Sequence, residues 1–501
     1  MIALANRIAA SSPVDDALLG ITPAQRRAMV RTDIVESAND RTAIKAKYDA
    51  ASDSDEFKNY WANADALDAD SAHSKHVRAK LVKRSRYEVG NNGFTDGIVQ
   101  THANFVVGLG CKLRMLTQNK EFNETVEREF AAWCKATQFR RKLWCLCHAK
   151  VQDGESFGIL KSNPKVKHPV KLDMVVFEAE QCQSQHTPFN VPGHIDGIIF
   201  DEFGNPEFYE VLKYHPGSQF NTMYEAPELV PAKFVVHWFM LRRPGQHRGI
   251  PEMKSTMQVG ASSRRWREAT VSAAENIARF SLFLRTAFQP DEMVQPAAMS
   301  TLEIQKGMMT ALPAGQDAFQ PKAEQPNASY ETFNEAQINE QARPKNMPLN
   351  IAKCDSSRYN FASGRLDRQV YFGGVDVERQ ECEECVLAKV FPLWYEDAVL
   401  RFGWDAPPDE TPPHTFDFPK HPEADLESEA KANDVKLRNG SLTLSQLYAN
   451  DSEDFFDKLK ELAEDYGITE EEARKVLLDT VFYRRYQAYP QNQKQETGTD
   501  A

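Results

Sequence analysis

Hydrophobic and polar positions along the 501 residues change period several times, and each change marks a segment. Residues 1 to about 60 are polar and rich in Ala and Asp, with short helical patches at Pro23 to Val30 and Arg41 to Ala51. Such a composition predicts an arm, partly disordered, that orders only against something else. From about 65 to 150 apolar residues fall at helical steps: Val77 and Leu81 share one face, and Val126, Phe130, Trp133 and Cys134 share another. Asn91-Asn92-Gly93 breaks this stretch sharply. From about 151 to 240 short β-favouring runs take over, at Ser156 to Leu160, Lys171 to Phe177, Ile195 to Phe200, Phe208 to Lys213 and Phe234 to Met240. Turn residues separate them, and Ile195 to Lys213 reads as a hairpin turning at Asp201 to Pro206. The prediction is an antiparallel sheet packed on the preceding helices.

The last of these runs ends abruptly in Arg242-Arg243-Pro244-Gly245-Gln246-His247-Arg248-Gly249-Ile250-Pro251-Glu252. Two Pro and two Gly force a turn, and its cations and glutamine need partners. In an oligomer such a corner can pin one subunit to the next, which makes Arg242, Arg243, Gln246 and Arg248 candidate inter-subunit contacts.

Downstream, Trp266, Ala269, Ala273, Ile277, Phe280 and Leu284 form one apolar stripe, predicting a helix from Ser263 to Ala287 capped by Ser262 or Ser263. Gln289-Pro290 stops it. A small Pro-rich unit follows over 288 to 328, with a helix expected at Met299 to Lys306 and a β-run at Met308 to Leu312. A second helix, Tyr330 to Gln341, brings the chain back, and Pro344 and Pro348 end it. Residues 344 to 364 then read as a loop too long to be idle, carrying Lys345, Lys353, Arg358 and Asn360. Arg365 to Phe391 reads as a long helix kinked at Gly373-Gly374, with a further turn from Pro392 to Gly403 and a Pro-rich linker from Asp405 to His421. The C-terminal part is helical, with capping boxes at Thr443/Gln446 and Thr469/Glu472 and helix stops at Gly440 and Gly467. A polar tail over 488 to 501 is expected to be disordered.

Composition narrows the function. The formal charge is −12 and the pI about 5.6, which argues against a sequence-independent grip on phosphate backbones, since that grip needs clustered cations. Eight scattered Cys suit reduced thiols in the cytosol better than a disulfide framework. The chain opens without a basic region before an apolar core, and no run nears the ~20 apolar residues that span a bilayer, so neither a secretion signal nor a membrane anchor is expected.

Candidate chemistry is thin. Gly154-Glu155-Ser156-Phe157-Gly158 fits G-x-S-x-G, but that Ser must stand on a turn from strand to helix, and this one precedes a strand. Cys145-Leu146-Cys147-His148 and Cys382-Glu383-Glu384-Cys385 have metal-type spacing, yet the second pair lies within a helical pattern and neither has a matching partner. Gly108-Leu109-Gly110 is too short for a dinucleotide loop, and no phosphate-binding G-x-x-x-x-G-K-[ST] occurs. The basic run Arg78, Lys80, Lys83, Arg84 and Arg86 fits a solvated helix face or an inter-subunit charge pair better than a phosphate grip. The chain therefore reads as no enzyme, without metal or cofactor.

Five blocks in order give a further indication: arginine-flanked Asn91-Asn92-Gly93-Phe94; Phe105-Val106-Val107-Gly108-Leu109-Gly110; Asp153-Gly154-Glu155-Ser156-Phe157; His237 with Arg242 to Pro251; and Tyr359-Asn360-Phe361-Ala362-Ser363-Gly364-Arg365. Through them the chain resembles the portal proteins of tailed bacteriophages, in the lambda-type branch, from about residue 84 to 365. In the last block Ala362 and Gly364 stand where the pattern leads one to expect Ser and Ala. The resemblance implies a multi-domain α+β portal fold that forms a homo-oligomeric ring, typically of twelve subunits. It implies a wing over 65–260, a stem helix over 261–287, a clip over 288–328, a returning stem helix over 329–343 and a tunnel loop over 344–364. A long kinked helix with wing return and linker would span 365–421, and a helical crown 422–487, after an N-terminal arm over 1–64. Lys345, Lys353, Arg358 and Asn360 would then face double-stranded DNA in the channel, and Asp291, Glu292, Asp317 and Lys322 would face the adaptor. Implied partners are the terminase large subunit, the major capsid protein with its scaffold, and the head-tail adaptor, with no membrane. The implied location is the virion, at a capsid vertex, after assembly in the host cytoplasm. The alternative reading is another head or connector protein without a DNA channel, and a lesser one is a serine hydrolase acting through Ser156.

Overall fold

The computed structural model describes residues 61–184, 193–219, 226–279, 283–286, 316–319, 329–407, 410–421, 426–450 and 455–477. Two compact units divide the chain, Met1–Leu67 and Asp68–Ala501. Of the first, the described residues form a turn at 61–63 and an irregular stretch after it. The predicted arm otherwise lies outside the described residues, as do the expected helix at 299 to 306, the β-run at 308 to 312 and the C-terminal tail.

The second unit begins with α1 (Ala69–Ala72), α2 (Lys75–Asn91) and α3 (Gly93–Val107), with Asn92 between α2 and α3. Asn92 closes one helix and opens the next, its side chain accepting from the Phe94 amide at 3.3 Å. Then come β1 (Lys112–Met115), α4 (Lys120–Ala136) and α5 (Phe139–Asp153). On α4 the predicted face holds, with Val126, Phe130 and Trp133 all buried. On α2 it does not: Val77 is exposed, while Arg78, Val82, Ser85, Glu88 and Val89 turn inward. Polar side chains there have buried partners, such as the Gln152 carbonyl for Ser85, so hydrophobic periodicity points to the wrong face.

Among the described residues, seven strands make up the β-rich region. β2 (Glu155–Ser162), β3 (Leu172–Phe177) and β8 (Val235–Phe239) form one antiparallel sheet in the order β3-β2-β8. β4 (His194–Ile195), β5 (Ile198–Phe200), β6 (Pro206–Val211) and β7 (Glu228–Pro231) form a second antiparallel sheet. The expected hairpin is there, turning at Asp201 to Asn205, but the single predicted sheet is two. The first sheet packs on helices in the main core, built around Trp133, Phe130, Leu143, Leu146, Trp238, Phe391 and Trp394. The second has its own core of Phe157, Ile198, Tyr209, Val230 and Val235.

The helix after the Arg-rich corner, α6, runs from Met257 to Arg279. It starts earlier than predicted, because turns at Pro251 to Thr256 feed straight into it, and Ser263 lies buried inside it and caps nothing. Leu284, expected on its stripe, belongs instead to β9 (Phe283–Thr286), which pairs with β10 (Gln316–Phe319). Long-range pairing has overridden the local helical period. The returning helix α7 spans Tyr330–Ala342, and Trp266 of α6 stacks on its Tyr330 at 4.9 Å.

The predicted loop at 344 to 364 is mostly ordered turns: a 3-10 turn at Arg343–Lys345 and the short helix α8 (Leu349–Lys353), with Met347, Asn350 and Ala352 buried. The long helix α9 (Phe361–Cys382) continues through a π-turn (Glu383–Leu387) into α10 (Ala388–Phe402). Gly373 and Gly374, where a kink was expected, lie within the helical span of α9. The irregularity sits at the π-turn, just before Pro392, which lies inside α10 and offers no amide to Ala388. β11 (His414–Asp417) pairs with β1. Helices α11 (Leu426–Asn439), α12 (Leu444–Asn450) and α13 (Phe455–Tyr466), and a helical run over 470–477, close the chain around a small core of Leu459, Ala463 and Ala473. Both predicted capping boxes are formed. No described helix is long and apolar enough to cross a membrane.

Candidate nucleic-acid interface and its charged supports

The segment expected to face DNA is closed by ion pairs. Asn360 is the N-cap of α9, its side chain accepting from the Ala362 amide at 3.2 Å. Lys353 donates to Glu335 at 2.9 Å and pairs with Asp355 at 3.1 Å. Arg358, 61% exposed, pairs with Glu331 on α7. Two cations thus share this corner with three carboxylates, so its field is not positive.

Lys345 is a correction. It is buried, with its Nζ between Glu252 and Glu378. Lys150 of α5 enters the same cluster, 3.0 Å from Glu378, 3.2 Å from Glu252 and 3.3 Å from Glu381. His102 of α3 lies 3.0 Å from Glu378 and 3.3 Å from the Tyr371 hydroxyl. Burial by itself would lower the lysine pKa values, but the carboxylates outweigh it and hold both above the ordinary value. Burial likewise pushes Glu252 and Glu378 up, and their neighbouring cations pull both below the ordinary carboxylate range. His102 is lowered by burial and by Lys345, against the pull of Glu378. This knot ties α3, α5, the corner after β8, the turn after α7 and α9 to one point. A lysine there positions the segment and cannot reach a phosphate.

The Arg-rich corner is also turned inward. Gln246 accepts from the Arg242 and Arg243 amides at 3.0 and 3.3 Å and donates to the Arg248 carbonyl at 2.9 Å. Arg248 is buried and forks onto Glu155 at 2.7 and 2.9 Å, and also donates to the carbonyls of Cys182 and Ala179. Glu155 further accepts from the Gly249 amide at 2.9 Å and faces His237 Nε2 at 3.2 Å. Burial would raise the Glu155 pKa, but Arg248 and His237 hold it far below the ordinary range. His237, stacked between Phe157 at 4.2 Å and Phe239 at 4.6 Å, is pushed down to about 4, burial outweighing Glu155. Gln246 and Arg248 are therefore intrachain clamps, which corrects the expectation of inter-subunit contacts. Arg242 and Arg243 do lie exposed on the turn.

The remaining candidates resolve as structure. Gly154 follows a helix and precedes a strand, the reverse of a nucleophile elbow, and the Ser156 hydroxyl is buried 3.5 Å from the Trp238 carbonyl. Cys147 and Cys382 are buried, Cys145 is exposed and Cys385 is half-buried. Arg78 and Arg86 of the basic run pair within the chain, Arg78 with Asp196 and Arg86 with Asp153, Glu178 and Glu180. Among the described residues one group of metal-type side chains converges, Glu178, Glu180 and His215. It does not fit an ion well. The Gly217 amide donates to His215 Nδ1 at 3.0 Å, so Nε2 carries the ring proton toward Glu178, whereas a metal-bound Nε2 needs the proton on Nδ1. Asp291, Glu292 and Lys322 lie outside the described residues, and Asp317 stands on β10 opposite Arg285.

Sequence reasoning missed the acceptors. Glu155, Glu252 and Glu378 are each set among residues whose pattern reads as strand, turn or helix face. The readable signal was Lys150, a charge at an inward position of α5 beside Leu143, Leu146, Cys147 and Val151.

The sequence family described as phage portal protein, lambda family, matches residues 57–376, well over half of the chain. The chain belongs to that family. Comparison with curated protein sequences gives no match. Among solved structures, this portal protein is similar to a chain from the neck of an empty gene transfer agent particle computed with C6 symmetry, at 12% identity and a TM-score of 0.43 over 75% of this chain and 93% of that one. A chain from the neck of the native particle, computed with C12 symmetry, gives 12% identity and 0.42 over 74% and 92%. An HK97-family phage portal protein from Corynebacterium diphtheriae gives 12% and 0.26 over 59% and 83%. The mixed helix-and-sheet architecture agrees with membership of the family, which is one of structural proteins.

Proposed function

We propose that the chain is one subunit of a closed ring, of twelve copies, that occupies one vertex of a phage-type capsid. The ring forms the passage for double-stranded DNA during packaging and ejection. It docks the terminase large subunit first and the head-tail adaptor afterwards, and it is surrounded by the major capsid protein and, during assembly, the scaffold. The mature location is the virion. The wing, stem, clip, tunnel-loop and crown divisions are carried into this reading with it. Its main support is the family match over residues 57–376. Charge supports it too. Twelve copies at −12 each carry roughly −144, and a wall of that sign lets a duplex slide, where each phosphate neutralised by a cation would add affinity and friction. The pairing of Lys353 and Arg358 with carboxylates suits a passage that guides DNA weakly.

Electron microscopy of the purified full-length protein tests this. Rings with a central hole wide enough for a duplex are expected. A strictly monomeric protein at high concentration, or a closed particle without a hole, overturns it.

A further inference from the structure

Residues 418–421, which follow β11, bind by turns to two parts of the chain. Phe418 packs at the edge of the main core and lies under the Arg379 guanidinium at 5.5 Å. Arg379 is itself fixed, donating to the carbonyls of Phe105 and Val106 at 2.9 and 3.1 Å. Pro419 covers Gly108 so closely that a Cβ added there would fall 3.2 Å from its Cγ. Lys420 instead pairs with Glu429 on α11. His421 returns to α9, where its ring stacks on Phe372 at 4.2 Å with the planes 5° apart, and its Nε2 lies 2.7 Å from the Asp376 carboxylate. With the Nε2 proton given to Asp376, Nδ1 is the acceptor of the ring, and among the described residues no donor meets it although it is buried. The contact is well shaped but incompletely satisfied.

Beyond this point the chain has a core of its own. No described side chain of α11 is buried. Leu459, Ala463 and Ala473 pack with Ile468 and Leu477, separately from the main core. A unit joined to its neighbour without a large apolar interface moves against it unless specific ties hold its pose.

We infer that residues 418–421 are a strap that fixes the pose of the C-terminal helices, α11 to α13, against α9, and that opening the His421 contact lets those helices turn as a separate body. The inference stands apart from the ring reading. Phe372, Asp376 and Glu378 fall within about two turns of α9, so the strap and the buried knot that holds Lys345 are anchored on one stretch of helix. The strap has the parts of a two-state device. A ring stack and a hydrogen bond close it, a buried unmet nitrogen favours release, and the ion pair of the adjacent Lys420 carries α11 along with it.

Trypsin acting on the full chain reads the strap, because cleavage after Lys420 needs the surrounding residues to leave α9 and enter the protease, so that its rate follows the open population. His421→Ala is expected to speed this cut about tenfold or more, through loss of the stack and of a hydrogen bond to a carboxylate. Asp376→Ala leaves the cleaved sequence untouched and changes an exposed position, and about a threefold gain is expected from it. A second readout uses spin labels on Leu400→Cys of α10 and Val435→Cys of α11, with the exposed Cys145 and Cys354 changed to Ser and the labelled chain diluted in unlabelled chain. The distance between the labels should be narrow with the strap intact and broad in His421→Ala. A cut at Lys420 that neither variant speeds, or a distance that stays narrow in His421→Ala, overturns the inference, because something other than the strap then holds the helices. A distance already broad with the strap unsubstituted overturns it as well. Should His421→Ala lose its native circular dichroism, Asp376→Ala decides both readouts.

Discussion

Lys345 separates the two accounts of the 344–364 segment most cleanly. As a channel-facing cation it would be dispensable for folding. In the structure its side chain is 2% exposed and sits between Glu252 and Glu378, which are themselves 1% and 5% exposed. Lys345→Ala leaves both carboxylates with Lys150 as the remaining lysine, at 3.2 and 3.0 Å, and removes one buried cation from a set of two cations and two anions. Breaking a buried pair by deleting one partner costs ~3–5 kcal/mol, because the surviving charge stays buried without compensation. Arg358→Ala removes an exposed pair with Glu331, for which ~0–1 kcal/mol is expected. The predicted contrast is therefore several kilocalories between two cations thirteen positions apart in the same segment.

Urea unfolding followed by tryptophan fluorescence measures it; one of the seven tryptophans, Trp238, has its ring 5.2 Å from Lys150 Nζ. A partial rescue is expected when Lys345→Met is combined with Glu252→Gln, which removes the stranded charge as well as its partner. If Lys345→Ala stays within about 1 kcal/mol of the unsubstituted protein, the knot contributes little, and the lysine is available for contacts outside the subunit.

Two further outcomes follow from the other clamp. The folded protein keeps His237 neutral down to about pH 4, while the unfolded chain takes up its proton near 6.5. Stability is thus lost as pH falls from about 6.5 to about 4, by ~3 kcal/mol from this residue, with His102 acting in the same direction. In His237→Gln the acid slope of the unfolding free energy should flatten by about one proton, ~1.4 kcal/mol per pH unit, and an unchanged slope refutes the assignment. At the corner itself, Gly154 has φ +93° and an added Cβ would fall 1.9 Å from the Ile250 carbonyl carbon. Gly154→Ala should cost ~3 kcal/mol or more, against a gain of up to ~1 kcal/mol for Gly90→Ala, which meets open space on α2. Thermal melts of the two variants shifting alike would refute this.

What could be read from sequence and what could not divide along the range of the interactions. Helix ends set by local chemistry came through: the break at Asn92, the Thr443/Gln446 and Thr469/Glu472 boxes, and the end of α7 near Ala342 all depend on groups within four residues. Errors arose where a distant partner decided the outcome. Val77 reads as a core residue until Arg78 finds Asp196, 118 positions away. Leu284 reads as helix until β9 finds β10 across the Pro-rich unit. Lys345 and Arg248 read as cations for an outside partner, since nothing nearby in sequence shows that Glu378 and Glu155 will meet them in the interior. Arg78, Arg86, Lys150, Arg248 and Lys345 are each met by carboxylates inside the subunit. Leu366, Val370 and Val377 keep helical spacing across about three turns, yet the subunit leaves them more than half exposed. The stripe is legible in the sequence as spacing, but the core face opposite it is set by distant partners, Glu378 by Lys150 and Lys345, and Tyr371 by His102.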